Sequence, residues 1–433
     1  MKVNPFRRDL APRVVIVFWE GYLGASPSIV SAIRMFEEAG FEVQVLTGEA
    51  NRGFPDTPCF GDNTRIEVCR PFSAWWHRRG FPGRLPTFDG RPIPRSVASP
   101  SLNEKIRALV RDLLGSMLLA VDLIQFRRFV SRHTRDRARR FWIGVDTIGL
   151  VEAGRHSQSR RLAYWSLEIV FLEQIVNPLL RFLKRTERRV SRRVRRIIVQ
   201  DSARADLLVR ENGVDRNRCA LVPNAPRYTS RETKSDFLHS RLGISPEKRI
   251  VLHLGMMGPE VLSTEIAAVS RCWPEEWVLV FHERFSRSLD DPVVKEVLNS
   301  GGDRVFLSLE PVDLDDLPKV VASADVGLVF YNPAMGPNYA VITGASGKLA
   351  YYLQAGVPVI CLDLPGFDEL MTDGQCGVCV PSPAAIGSAL EVLTTRLPEF
   401  GEAARRCFDE RYAFDRFFLP LVEEIKGELH APG

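Results

Sequence analysis

At 433 residues the chain is longer than one hydrophobic core supports, so two domains are expected, and 45% hydrophobic with 26% charged residues excludes a disordered or fibrous protein. The net charge of +5 conceals an asymmetry: residues 101–200 hold 22 Arg or Lys against 9 Asp or Glu, leaving the remainder of the chain at −8. No apolar run reaches the ~18 residues of a spanning helix and no charged-then-apolar leader opens the chain, so we expect a cytoplasmic protein that does not cross a membrane.

Val14–Phe18 reads as a strand that runs through a loop with Gly21 and Gly24 into a helix over 27–39, which Gly40 stops; Phe41–Leu46 follows as a second strand. This β-α-β unit implies a parallel sheet. The loop does not match G-x-G-x-x-G, and serves either as a plain connection or as a mobile rim over a ligand. Residues 50–100, dense in Gly, Pro, Arg and aromatics, predict an irregular excursion. From Leu102 to about Arg140 the pattern turns helical, with an apolar stripe through Leu113, Met117, Val121 and Ile124 and an arginine cluster after it. Leu179–Arg196 is a second basic stretch. Each reads either as a core helix with a solvated charged face or as a basic surface on anionic lipid, at the inner face of a membrane; without a recognisable binding motif, nucleic acid is not expected.

Two apolar runs between these stretches end in carboxylates, Asp146 and Glu168. At the carboxyl ends of parallel strands such residues face ligands, while helix capping is the competing role. Strand and helix alternate again to Val222-Pro-Asn224, the polar segment 227–248 marks a boundary, and alternation resumes from Ile250 through the Gly255-Met-Met-Gly258 turn. Eight cysteines are scattered, and the one close pair, Cys376-Gly-Val-Cys379, lacks the second pair of a zinc site, so no metal is expected.

The stretch 322–363 carries the most chemistry. A buried strand (Val326–Phe330) leads through a polar loop to a helix opening at Ser346-Gly347-Lys348, followed by a turn at Gly356 and a second buried strand. Free backbone N–H groups, the positive end of the helix dipole and a lysine converge there, a combination suited to phosphate. The expected fold is α/β, two doubly wound Rossmann-like domains facing a cleft: residues 1–225, residues 226–410, and a C-terminal helix within 411–433 that packs back on the first domain.

The ordered set Val222-Pro-Asn224, Gly255–Gly258, Ala324-Asp-Val-Gly-Leu328, Ser346-Gly-Lys348, Gly356-Val-Pro-Val-Ile360, Pro365-Gly-Phe-Asp-Glu369 and Asp373-Gly-x-x-Gly377 resembles bacterial nucleotide-sugar glycosyltransferases of the two-Rossmann-domain (GT-B) type, with the retaining family-4 group as the nearest match. The resemblance implies a nucleoside-diphosphate sugar as co-substrate, no separate cofactor or metal, and a glycan or lipid-linked acceptor held by the first domain. It implies that Gly255 and Gly258 let backbone approach the diphosphate, that Ser346, Gly347 and Lys348 neutralise it, and that Glu168 or Asp146 stands near the acceptor hydroxyl. The chain departs from that pattern where Tyr351 occupies the place of a ribose-binding glutamate, the earlier glutamate has no counterpart, and no arginine and lysine pair follows Gly258. A non-catalytic binding or scaffolding subunit on the same fold is therefore the alternative; a sugar-nucleotide epimerase would need an acid and base pair in the donor cleft, for which the sequence offers no evident residues.

Overall fold

The computed structural model describes residues 12–49, 53–78, 102–134, 139–227 and 234–430. Its first half contains β1 (Arg13–Phe18), α1 (Pro27–Glu38), β2 (Glu42–Gly48), β3 (Thr64–Cys69), α2 (Phe72–Arg78), α3 (Leu102–His133), β4 (Arg140–Val145), α4 (Asp146–His156), β5 (Leu162–Trp165), α5 (Pro178–Ser191), β6 (Arg196–Val199), α6 (Ser202–Asn212) and β7 (Cys219–Leu221). These strands form one parallel sheet in the order β3-β2-β1-β4-β5-β6-β7. β1 is buried along Val14–Phe18 and β4 along its whole length, which is why both read as continuous apolar runs instead of alternating ones.

The excursion expected over 50–100 is more regular than its composition suggests. Thr64–Cys69 pairs with β2 in parallel register, and Phe72–Arg78 is helical. β3 is an edge strand with only Cys69 buried, so it carries too weak an apolar signal to read from sequence. Residues 79–101 of that segment, and residues 228–233 of the expected boundary, lie outside the described residues.

The second half contains α7 (Phe237–Leu242), β8 (Arg249–Leu254), α8 (Ser263–Ser270), β9 (Trp277–His282), α9 (Pro292–Gly301), β10 (Val305–Ser308), α10 (Leu317–Ala322), β11 (Val326–Val329), α11 (Pro337–Ala340), α12 (Gly347–Ala355), β12 (Val359–Leu362), α13 (Phe367–Gly374), β13 (Gly377–Val380), α14 (Ile386–Thr394), α15 (Leu397–Arg411) and α16 (Phe414–His430). Its parallel sheet runs β10-β9-β8-β11-β12-β13. Strand order reverses between β1 and β4 in the first sheet and between β8 and β11 in the second. Connections leave to opposite sides at these two places, and a crevice opens beyond the strand ends.

α16 returns to the first domain. Phe418 lies against Phe36 of α1 (centroids 5.4 Å apart) and Trp165 of β5 (5.6 Å), and Glu424 takes ion pairs from Arg195 and Arg196. Across the cleft, Arg34 pairs with Asp315 at 3.0 Å, and Arg227 bridges Glu38 and Asp415. Because Phe418 is fully buried among aromatics, Phe418→Ala is expected to cost about 3–5 kcal/mol. The urea midpoint, with an unchanged slope, measures it.

Candidate functional site

The second sheet supplies a cationic wall. Past β8 the chain turns at Gly255, whose φ of +102° favours glycine, and a Cβ there would stand 3.8 Å from Lys348 Cε. A Cβ on Gly258 would meet the Glu260 carboxylate at 2.5 Å. Ser346 caps α12: its Oγ accepts from Leu349 N–H (3.4 Å) and shares a hydrogen bond with the Tyr331 hydroxyl (2.9 Å). Gly347 packs against Asn224, whose amide donates to Ala345 O (3.1 Å), so the first domain touches the helix start directly.

Lys348 stands over the Tyr331 ring, 4.9 Å from its centroid, and its Nζ is buried without a hydrogen-bond partner among the described residues. Burial pulls its pKa down to about 7; nearby Glu283 opposes the shift and Arg284 reinforces it. Glu283 is itself tied down, accepting from Met257 N–H (2.7 Å) and pairing with Arg287 at 2.8 Å. Beneath lies His253, fully buried with neither ring nitrogen partnered; burial and the charge of Lys348 hold it well below the usual imidazole range. Buried polar groups without protein partners are rare in folded proteins, and two of them meet at this point.

The first sheet supplies an acidic wall. Asp146 follows β4 at φ +50° with 6% exposure, and its Oδ1 accepts from the backbone N–H groups of Leu167 (2.7 Å) and Glu168 (3.0 Å). It therefore does not cap α4. A left-handed aspartate costs about 1 kcal/mol, and packing enforces it: a Cβ on Gly149 would lie 2.3 Å from Val17 O, and one on Gly144 2.4 Å from Leu150 Cα. Glu20, at the end of β1, has a buried Oε2 without a partner. Burial raises the Glu20 pKa to about 7, and burial followed by the charge of Glu20 raises that of Asp146 well above the carboxylate range. Glu168 is 62% exposed at the rim, with Arg204 at 3.5 Å.

The two walls face each other. The phenol of Tyr22 in the first domain feels Glu20, Asp146 and Glu168 together with Arg284 of the second, and Tyr331 feels both Arg284 and Glu168. Beside them Asn338 donates to Ile169 O at 2.8 Å. The structure thus brings together Gly255, Gly258, Ser346, Gly347 and Lys348 on one side, Asp146 and Glu168 on the other. Tyr351 is buried elsewhere, where the charges acting on its phenol are Asp315 and Arg34 instead of those around Lys348.

Solved structures of the same shape decide the fold. The model aligns over 97% of its length with all of a sucrose-phosphate synthase from Thermosynechococcus elongatus (TM-score 0.63, 12% identity). It aligns over 96% with all of HepE from Anabaena in complex with UDP (0.62, 14%) and all of WaaG, a glycosyltransferase involved in lipopolysaccharide biosynthesis (0.59, 13%). The chain has the GT-B fold. No family model matches it. A curated relative, the chitobiosyldiphosphodolichol β-mannosyltransferase of Kluyveromyces lactis, is 21% identical over 389 residues, 84% of this chain and 78% of that protein.

Three residues of this GT-B cleft escaped the sequence reading: Glu20, His253 and Glu283. The signal for Glu20 was its place two residues past β1 at a chain reversal, and for His253 a lone polar residue inside the apolar run Ile250–Leu254. Neither stands out until the strand order is known.

Proposed function

We propose that the protein transfers a hexosyl group from a nucleoside-diphosphate sugar to an acceptor hydroxyl presented by its first domain. The observation that carries this reading is Lys348, a buried and unpartnered amine at the start of α12 beside the second sheet's reversal point. A diphosphate there gains a cation and free helix-terminal N–H groups, and both act more strongly as leaving-group charge develops than before it. HepE, solved with UDP and with UDP-glucose, supports this class of ligand. The proposal includes metal independence, with Lys348, Arg284 and α12 supplying the positive charge; turnover that persists in EDTA checks it. Among the described residues no cluster suited to a metal ion occurs. The primary test is a thermal-shift panel of UDP, GDP, ADP and dTDP: one of them is expected to raise the melting temperature, and a flat panel would count against the reading.

The names of the K. lactis relative and of WaaG favour a lipid-linked acceptor. A surface suited to lipid lies on α3 and α5, where Leu113, Met117 and Phe182 are 58%, 66% and 58% exposed, beside Arg185, Arg188 and Arg189. Asn177 at the head of α5 donates to Ser116 of α3 at 2.7 Å and holds the two helices together. Among the described residues no helix is long and apolar enough to cross a membrane, so this would be interfacial contact. We expect the protein to float with vesicles of phosphatidylcholine and 30% phosphatidylglycerol, and Met117→Asp with Phe182→Asp to abolish flotation.

Tyr351, standing away from the Lys348 cluster in place of a ribose-gripping carboxylate, favours one second reading, a binding or scaffolding subunit. Turnover of a sugar nucleotide by the purified protein excludes it.

A further inference from the structure

We propose that Cys361 and Cys379 are an oxidation site, a thiol pair that closes to a disulfide when a hydroperoxide oxidises it and reopens under a dithiol reductant. β12 and β13 are parallel neighbours in which Cys361 stands directly opposite Cys379, so both side chains leave the same face of the sheet. Their sulfurs are 3.2 Å apart. Neighbouring strands lie about 5 Å apart, a spacing that suits the Cα separation of a disulfide, and the sulfurs need to approach by only about 1 Å to reach bonding distance. Among the described residues, the only other hydrogen-bond contact of either sulfur is that of Cys361 with Val378 O, at 3.7 Å.

Spacing in the sequence pairs Cys379 with Cys376, but the fold separates them. Cys376 lies three positions back along an extended segment and so faces the other side of the sheet, where its sulfur is 3.8 Å from Met371 Sδ and hydrogen-bonded with Cys407 of α15. Cys376 and Cys407 are both buried, whereas Cys379 is half-buried and gives an oxidant a way in to Cys361 behind it. The thiolate is the reactive form. The hydrogen bond from Cys361 favours it at Cys379, against burial and the charges of Asp363 and Asp368. Among the described residues no third ligand completes a metal site with the pair. A bond here fastens the edge strand β13 to β12 and closes a loop around α13, in which Pro365 O accepts from Thr343 Oγ1 (3.1 Å) just ahead of the Ser346 helix start.

With hydrogen peroxide as the oxidant the step balances. The Cys379 thiolate attacks one peroxide oxygen, the O–O bond breaks, and hydroxide leaves and takes up the proton that the thiol had lost, giving water and a sulfenic acid. Cys361 then attacks the sulfenic sulfur: the S–S bond forms, the S–O bond breaks, and the departing hydroxide takes the Cys361 proton as a second water. Two thiols are oxidised by two electrons in all, and one peroxide is reduced to two waters. A dithiol reductant reverses the change by exchange at the new bond.

The test treats the reduced, folded chain with a small molar excess of hydrogen peroxide at neutral pH, blocks the remaining thiols with N-ethylmaleimide in denaturant, and maps the peptides by mass spectrometry after cleavage at acidic residues. Asp363, Asp368, Glu369 and Asp373 lie between the two cysteines, so a Cys361–Cys379 bond holds two peptides together. The expected result is the loss of these two alkylatable thiols, a linked peptide pair lighter by two hydrogens than its separate halves, and release of the pair by dithiothreitol. Oxidation of the urea-unfolded chain is expected to scatter the links, with Cys376–Cys379 prominent, which shows that the fold selects the partner. In Cys361→Ser, Cys379 is expected to stop at the sulfenic acid and to be trapped by dimedone; the mapping of wild type stands on its own should that variant not fold. Cys361 and Cys379 both recovered as alkylated thiols after the exposed Cys59 and Cys272 have been oxidised, or a native link from Cys379 to any other cysteine, overturns the assignment.

Discussion

Lys348→Met is expected to raise the melting temperature of the ligand-free protein at pH 7.5 while weakening nucleoside-diphosphate binding by roughly 30-fold to 1000-fold, the scale of losing one desolvated charge partner. The two effects have one cause. In the folded protein burial lowers the lysine to about 7 from its ordinary 10.5, so below pH 10.5 the unfolded chain binds a proton that the folded chain binds less readily. The side chain thus carries a stability cost that is absent above pH 10.5, grows as pH falls, and reaches its full size below about 7. Methionine fills similar volume and removes that cost. A bound diphosphate restores the ammonium, so above pH 7 binding must take up a proton. The affinity of wild type is expected to fall by about tenfold per pH unit over pH 7.5–9.5, and that of Lys348→Met to stay flat. Isothermal titration in buffers of different ionisation enthalpy measures the proton directly. Equal affinity of the two proteins at pH 7.5 would remove Lys348 from the site.

Glu187→Ala is the second large effect, and it acts on the opposite wall. Glu187 is buried beneath α4, accepting from Thr147 Oγ1 (2.6 Å), Tyr164 OH (3.0 Å), Asn212 Nδ2 (2.7 Å) and the fully buried Lys184 Nζ (2.8 Å). Removing the carboxylate leaves an uncompensated ammonium and frees Thr147, the neighbour of Asp146. A loss of about 3–5 kcal/mol is expected, a large part of the ~5–15 kcal/mol that holds a typical domain. The paired change Lys184→Met with Glu187→Leu is expected to recover most of it, because it removes both buried charges at once. Urea midpoints for the three proteins decide the matter; a Glu187→Ala variant within about 1 kcal/mol of wild type would mean that the network contributes geometry alone.

The alternation of strand and helix, the two sheets and the cationic helix start at Ser346–Lys348 are determined by sequence, because each depends on local periodicity, a cap and a dipole that neighbouring residues make. The core strands β1, β4, β8 and β11 are buried on both faces, and their apolar runs announce them. β3, at the sheet edge and half-wetted, carries no such signal. What only the tertiary structure decided is which residues share the cleft. Strand order places the loop that follows β1 beside the start of α4 although more than 120 positions separate Glu20 from Asp146, and no local pattern encodes that adjacency. The same holds for desolvation: Lys348, His253 and Glu20 look like ordinary polar residues until packing strips water from them and leaves them without partners. Tyr351 shows the converse. Three residues along α12 from Lys348, and only about 60° around the helix from it, it nonetheless lies in a different neighbourhood one turn further on, where the charges acting on its phenol are Asp315 and Arg34.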